Sequence, residues 1–234
     1  MSANERDENP EGSEDKTSDN FSAGPDETYS SAFQRASENI NRPKTSRGRE
    51  TYQNLLEAAE KIFGQKNYYD TTITEITREA GVAPGTFYIY FPNKKTIFRA
   101  LILELNKKLR NVLAEAISGL DTRSAMEREG FKAFFSFIND HSALYKIVWQ
   151  AQFVEPEIFR EYYHDFAQSY RHRLARAVKR GEFKDLDPEV MAYCLIGISN
   201  FVGLRWIIWS ENEEIPEDVI EDVMEFIFAG IRKD

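Results

Sequence analysis

The sequence predicts an all-α protein of two folded parts, and three observations predict it. Apolar residues recur three and four apart from Leu55 to Ile231, and no run alternates as a half-buried strand would. The stretch Thr71 to Lys95 reads as two short helices about a glycine turn. Charge divides the chain: residues 42–112 carry thirteen basic and seven acidic groups, although the whole chain stands at −9. Residues 1–41 carry three basic and ten acidic groups, and residues 113–234 carry fourteen and twenty-two. The expected divisions are an acidic tail at 1–41, a helix-turn-helix DNA-binding domain at 42–95 and a helical second domain at 96–234.

Residues 1–41 are rich in Ser, Asn, Glu and Asp and poor in large apolar groups, so a disordered tail is expected. An acidic tail beside a basic segment can compete with phosphate for it. Arg42, Lys44, Arg47 and Arg49 then form a basic arm. Such an arm tracks a nucleic-acid backbone or minor groove, unless it is only a solvated linker. The first helix is predicted from about Gly48 to Gln65, with Leu55, Ala59, Ile62 and Phe63 as its buried stripe and Asn67-Tyr68 closing it.

Thr72 has Glu75 three residues on, the capping-box spacing that starts a helix. Ile73, Ile76 and Ala80 share one face of that helix, and Gly81 stops it. Pro84 opens a second helix at the position where a missing N–H costs nothing. Phe87 and Phe91 give this helix an inward face, which leaves Gly85, Thr86, Tyr88, Ile89 and Tyr90 outward. The outward face is rich in hydroxyls and runs into Lys94 and Lys95, where a merely solvated face would carry Glu and Lys. Two helices so joined place the second in the DNA major groove. Thr86 can meet a base edge or a phosphate, and Ala83 and Ile89 can meet a thymine methyl. Tyr88 and Tyr90 are long enough for phosphates, and Lys94 opens a helix whose positive end favours one.

Arg49, Leu55, Ala58, Ala59, Phe63, Asn67, Tyr68, Thr72, Ile76, Ala80-Gly81-Val82, Gly85-Thr86, Tyr88, Tyr90-Phe91 and Lys94 together resemble the N-terminal domain of the TetR family of bacterial transcriptional repressors. Three positions depart from the family pattern: Asn67 stands where glycine is common, Thr77 where alanine is common, and Ala83-Pro84 where a Ser-Lys or similar pair is common. The resemblance carries DNA-contact roles onto Thr86, Tyr88, Tyr90 and Lys94. The reading of the arm and helices adds Arg47, Arg49, Thr72, Ala83, Pro84, Gly85, Ile89 and Lys95. The resemblance implies a homodimeric repressor on a palindromic double-stranded DNA operator, with residues 96–234 as an effector-binding and dimerisation domain. The implied effector is a hydrophobic small molecule, fatty-acyl compounds among them. A protein partner acting without a small molecule is the alternative.

The fourth helix is predicted from about Asn93 to Ser118, with Ile97, Leu101, Leu105 and Leu109 on one face, and can link head to second domain. Helices follow from about Ser124 to Asp140, around Ile147 to Trp149, and from Pro156 to about Arg180. Asp187-Pro188-Glu189 is a clean helix start. The run Val190 to Trp209 is apolar nearly all round, so it needs cover on every side, some of it from a second copy. In TetR-like proteins the last two long helices form a four-helix bundle between subunits. Phe134, Phe137, Trp149, Phe153, Tyr162, Phe166 and Tyr170, with Asn200 as a polar group, are candidate lining for a ligand cavity. Each of these aromatics alone reads first as ordinary core, and only the set points to a ligand site. Arg205 is a further candidate, though it reads first as a partner for an acid of a second subunit.

No enzyme constellation is present. There is no glycine-rich phosphate loop or nucleophile motif, and no cofactor is expected. His164 and His172 are too far apart on one helix to share a metal. The single cysteine, Cys194, excludes an internal disulfide and reads as a small buried hydrophobe. The first residues are polar and acidic, so no signal peptide is expected; no apolar run is expected to approach the length of a membrane span, and a cytoplasmic location is expected.

Overall fold

The computed structural model describes residues 40–210 and 214–233, apart from the side chain of residue 144. The tail expected at 1–41 lies outside the described residues as far as 39. The two that remain are not tail: Ile40 is buried in the head and Asn41 bonds to it.

The described residues form α1 (Ser46–Gln65), α2 (Ile73–Glu79), α3 (Pro84–Tyr90), α4 (Lys94–Ala116), α5 (Arg123–Asp140), α6 (Ala143–Val154), α7 (Pro156–Lys179), α8 (Pro188–Gly203) and α9 (Glu217–Ile231). A π-helical turn, Leu204–Ile208, continues α8. The chain is all-α as expected; the described residues add one isolated bridge, Phe183 to Arg232. Side-chain caps set many of the boundaries. Thr45, Thr72, Asn93, Thr122 and Asp187 each accept a backbone N–H from the first turn they precede. Thr45 is why α1 starts two residues earlier than periodicity suggests.

In the head, Phe63, Phe87, Phe91 and Phe98 are fully buried, and Phe63 meets Phe98 edge-on at 5.2 Å between ring centres. Gly81 turns the chain with φ +67°, the left-handed conformation expected of a helix stop. The head then rests along α6. Gly64 of α1 lies so close to Ala143 that a Cβ on it would collide with the Ala143 methyl. Glu60 Oε1 lies 2.7 Å from His141 Nδ1 at the end of α5. One hydrophobic core therefore runs from Ile40 to Ile227 without a break between head and second domain.

Two expectations about α8 are corrected. Together with its π turn it spans Pro188–Ile208, 21 residues, and is long and apolar enough to cross a membrane by length and composition. Only 39% of that window is buried. Val190, Tyr193, Phe201 and Trp209 are exposed, and Phe226 of α9 is 73% exposed. Cys194 is exposed with them rather than buried, since it follows Tyr193 on the uncovered side of the helix.

Between α5 and α7 the second domain buries charge. Glu127 is 2% exposed and accepts from the Arg123 guanidinium and from the Tyr170 hydroxyl. The Arg123 guanidinium also lies 5.5 Å from the Tyr170 ring centre. Removing one partner of a buried pair leaves the other charged and dry, which costs more than replacing both. Glu127→Ala is expected to lower stability by about 3–5 kcal/mol in urea unfolding, and Arg123→Met combined with Glu127→Leu by much less. Equal losses in the two variants would show that the charges are not coupled.

Candidate nucleic-acid interface and effector cavity

The recognition helix α3 begins at Pro84 behind Ala83, which has no side chain to cap it. Phe87 and Phe91 point inward as expected and are fully buried. Tyr88 and Ile89 are each 58% exposed, Ala83, Pro84 and Gly85 are exposed, and Thr86 is half-buried. Gly85 has open space where a Cβ would stand. Nothing within the protein calls for glycine there, and glycine inside a helix is destabilising by about 0.5–1 kcal/mol. What it provides is a bare backbone for something outside to approach.

Four expected contacts sit differently. Tyr90 is 9% exposed and packs edge-on against Tyr52, with ring centres 5.9 Å apart. It lies three residues past Phe87, on the same helix face, so it cannot be outward. Lys94 is not a free cation. Its ammonium donates to the carbonyl oxygens of Tyr68 at 2.7 Å, Thr71 at 2.6 Å and Tyr69 at 3.3 Å, and lies 4.6 Å from the Tyr68 ring centre. It clasps the loop between α1 and α2, and burial lowers its pKa. Lys95 Nζ lies 3.8 Å from Glu155, which also pairs with Arg99. The Thr72 hydroxyl is engaged in its capping box, accepting from Glu75 N–H and donating to the Glu75 carboxylate.

Arg47 and Arg49 remain exposed on the arm, and Arg49 donates to the Lys44 carbonyl at 3.0 Å. Periodicity missed Asn41. Its backbone N–H donates to Tyr90 O at 3.2 Å and its side chain to Ile89 O at 2.9 Å, so it caps the C-terminal end of α3. The signal was an Asn ahead of a basic arm, which no short-range pattern connects to residue 90. It also missed Tyr69, which is 69% exposed, and the exposed pair Thr74 and Arg78 on α2.

In the second domain, Phe134, Trp149, Tyr162 and Asn200 of the expected lining meet around one small void. Ile138, Tyr145, Val148 and Tyr163 complete it. The void is about 10 Å³, room for about one water. The Tyr145 hydroxyl is buried with no hydrogen-bond partner. Burial, reinforced by neighbouring tyrosines, raises the Tyr145 and Tyr162 pKa values, and burial pushes that of Tyr163 up to about 12. All three therefore remain neutral phenols at ordinary pH. The other expected lining residues lie elsewhere. Phe137 packs on His141, Phe153 is 74% exposed, and Phe166 sits beside Tyr170, which is committed to Glu127. Arg205 is exposed, bonded to Ser210 and 5.3 Å from the Trp206 ring centre.

Helix α6 joins the two sites. Tyr145, Val148 and Trp149 line the void, while Gln150 turns to the head. Its Oε1 accepts from Tyr68 N–H at 2.5 Å and its Nε2 donates to Phe63 O at 3.4 Å. Tyr68 is the residue whose carbonyl and ring Lys94 holds.

The family model for bacterial regulatory proteins of the tetR family matches residues 55–101, from α1 into α4. The chain is 30% identical over 191 residues to the uncharacterized HTH-type transcriptional regulator YdgC of Bacillus subtilis (strain 168), covering 80% of this chain and 95% of that protein. Among solved structures, the fatty acid degradation regulator FadR of Bacillus halodurans superposes with a TM-score of 0.70 at 16% identity, over 80% of this chain and 96% of that one. FadR of Bacillus subtilis, solved in complex with stearoyl-CoA, gives 0.68 at 20% identity, over 77% and 100%.

The capping box of α2 carries a pH dependence. Glu75 is held at a pKa of about 2, below the usual 4.5, first by its bond to Lys66 and then by Thr72 N–H and the Thr72 hydroxyl. A depressed carboxylate stabilises the fold above its ordinary pKa and loses that contribution as pH falls toward its folded value. Thermal melts of Glu75→Gln and the parent are therefore expected to differ at pH 7, and the gap to shrink steadily below about pH 4.5 toward pH 2. A gap independent of pH would assign the effect to shape rather than charge.

Proposed function

The chain belongs to the tetR family of bacterial regulatory proteins, and from that premise we propose that it is a cytoplasmic repressor, dimeric on a palindromic operator and released by a long-chain fatty-acyl compound. It is a DNA-binding transcription regulator and not an enzyme. The observation that carries the DNA face is α3, where Gly85 faces open space and the side chains of Tyr88 and Ile89 are each 58% exposed. Half-sites one helical turn apart, about 34–36 Å, suit two heads on a two-fold axis. The exposed apolar face of α8 and α9 supports the second copy.

The acyl reading is supported by the aromatic void, by a lining residue, Tyr145, whose hydroxyl is buried and unpaired, and by a fold shared with a regulator solved with stearoyl-CoA. Ligand cavities measure about 300–1,000 Å³, so a void for one water is the closed arrangement. A chain entering there must displace Trp149 and with it α6. That movement draws Gln150 away from Tyr68 and Phe63. The ligand then shifts the head by its preference for the open arrangement, with coupling of about 1–3 kcal/mol. That this void holds only about one water also favours a second reading, control by a protein partner with no small molecule.

Binding of the purified protein to the DNA upstream of its own gene, titrated with salt and then with stearoyl-CoA, tests both. Saturable, sequence-dependent binding released by stearoyl-CoA is the expected result. Specific binding that neither this nor shorter acyl-CoAs release favours the partner reading. Thr86→Ala is expected to weaken specific binding by about tenfold, in line with about 1–3 kcal/mol per base contact. Gln150→Ala is expected to keep stearoyl-CoA binding, followed by Trp fluorescence, while losing most of the DNA release; unchanged release would remove Gln150 from the coupling.

A further inference from the structure

We propose that the acidic segment 1–39 docks on the basic residues Arg42, Lys44, Arg47 and Arg49 of its own chain, beside the recognition helix, and competes there with DNA phosphate. The proposal rests on the reading of that face as the DNA face. Two described residues fix where the segment departs. Ile40 is 8% exposed within the head core, and Asn41 holds the carbonyl oxygens of Ile89 and Tyr90 at the end of α3. The segment therefore leaves the fold beside the recognition helix.

Charge says what covers that face. Residues 1–27 carry nine carboxylates against two cations. Immediately after Asn41 come Arg42, Lys44, Arg47 and Arg49, all exposed. Lys44 and Arg47 form no salt bridge with the described residues, and Arg42 only a distant one, 3.8 Å from Glu104. Residues 113–234 are net acidic, with twenty-two acidic groups against fourteen basic, so the second domain as a whole repels the segment while the arm attracts it. Reach is not limiting. Glu27 stands about 13 residues before Ile40, up to roughly 45 Å of extended chain, and α3 is only about 10 Å long. Tethering gives the carboxylates an effective concentration on the order of millimolar at the arm. Exposed ion pairs of this kind fade once the Debye length falls well below about 10 Å.

The test uses the full chain in two forms, the parent and a variant whose nine carboxylates in residues 1–27 are changed to amides. Carbodiimide cross-linking without DNA, read by mass spectrometry, is expected to join tail carboxylates to Lys44 of the same chain at low salt and not at high salt. On operator DNA the amide variant is expected to bind roughly tenfold more tightly at about 50 mM salt, with the gap closing below about twofold near 0.5 M. Equal affinities at every salt overturn the proposal, as does an absence of cross-links to Lys44. Cross-links that join two copies overturn the assignment to the same chain. Cross-links to Lys44 in a protein that binds no DNA support the docking, and it is the DNA reading that then fails.

Discussion

The head of this molecule rests on the second domain through the close contact of α1 with α6, beside the covalent link that α4 provides. Gly64 lets the backbones of the two helices approach until Ala143 touches, and no larger residue fits there. The contact is backed by polar groups on either side, Glu60 with His141 and Gln150 with Tyr68 and Phe63. A third link, Arg99 and Lys95 on Glu155, ties the start of α4 to the junction of α6 and α7. Because interiors pack at crystal-like density, a head held this closely cannot drift by small amounts relative to α6. It moves with the helix or the contact breaks.

Charge and apolar surface divide the rest of the molecule. Exposed cations gather on the arm before α1, while α8 and α9 leave Phe201, Trp209 and Phe226 uncovered. The length of α8 suits a membrane, but its Met191, Ala192, Leu195 and Ile196 are packed into the domain core. A helix with one face packed in its own domain and the other apolar and bare offers the surface that the proposed second copy would cover.

Local chemistry was legible in the sequence, and encounters between distant residues were not. The Thr72–Glu75 capping box, the Gly81 stop, Pro84 at the start of α3 and the inward Phe87 and Phe91 each follow from neighbours within four residues, and each stands where expected. The departure at Thr77 is absorbed locally as well, its buried hydroxyl donating to Thr74 O at 3.1 Å. The partners of Lys94 were not legible because they lie on a loop 23 to 26 residues earlier. A cation at a helix start looks the same in sequence whether it faces phosphate or clasps backbone carbonyls. Cys194 was misread because an all-apolar run does not say which of its sides the subunit covers. Of the seven expected aromatics only Phe134, Trp149 and Tyr162 meet at the void, for a similar reason. Composition marked a dense cluster, but only tertiary packing decides that Tyr170 serves Glu127 while Tyr145 faces the void.

Of the helices around the void, the pattern of caps and buried charge leaves α6 the freest to move. Helices α1, α2, α4, α5 and α8 each begin with a side chain bonded to the first turn. Helix α6 has no such bond at Ser142, and α7 has none at Glu155, so the α6–α7 junction is held by the ion pairs from Arg99 and Lys95 instead. Helices α5 and α7 are locked to each other by Arg123, Glu127 and Tyr170, an arrangement that is costly to open. A guest forced into the void between them therefore meets least resistance from α6. That helix carries Trp149 toward the guest and Gln150 toward the head on adjacent positions. Adjacent residues on a helix point about 100° apart, so one small rotation of α6 changes both contacts together.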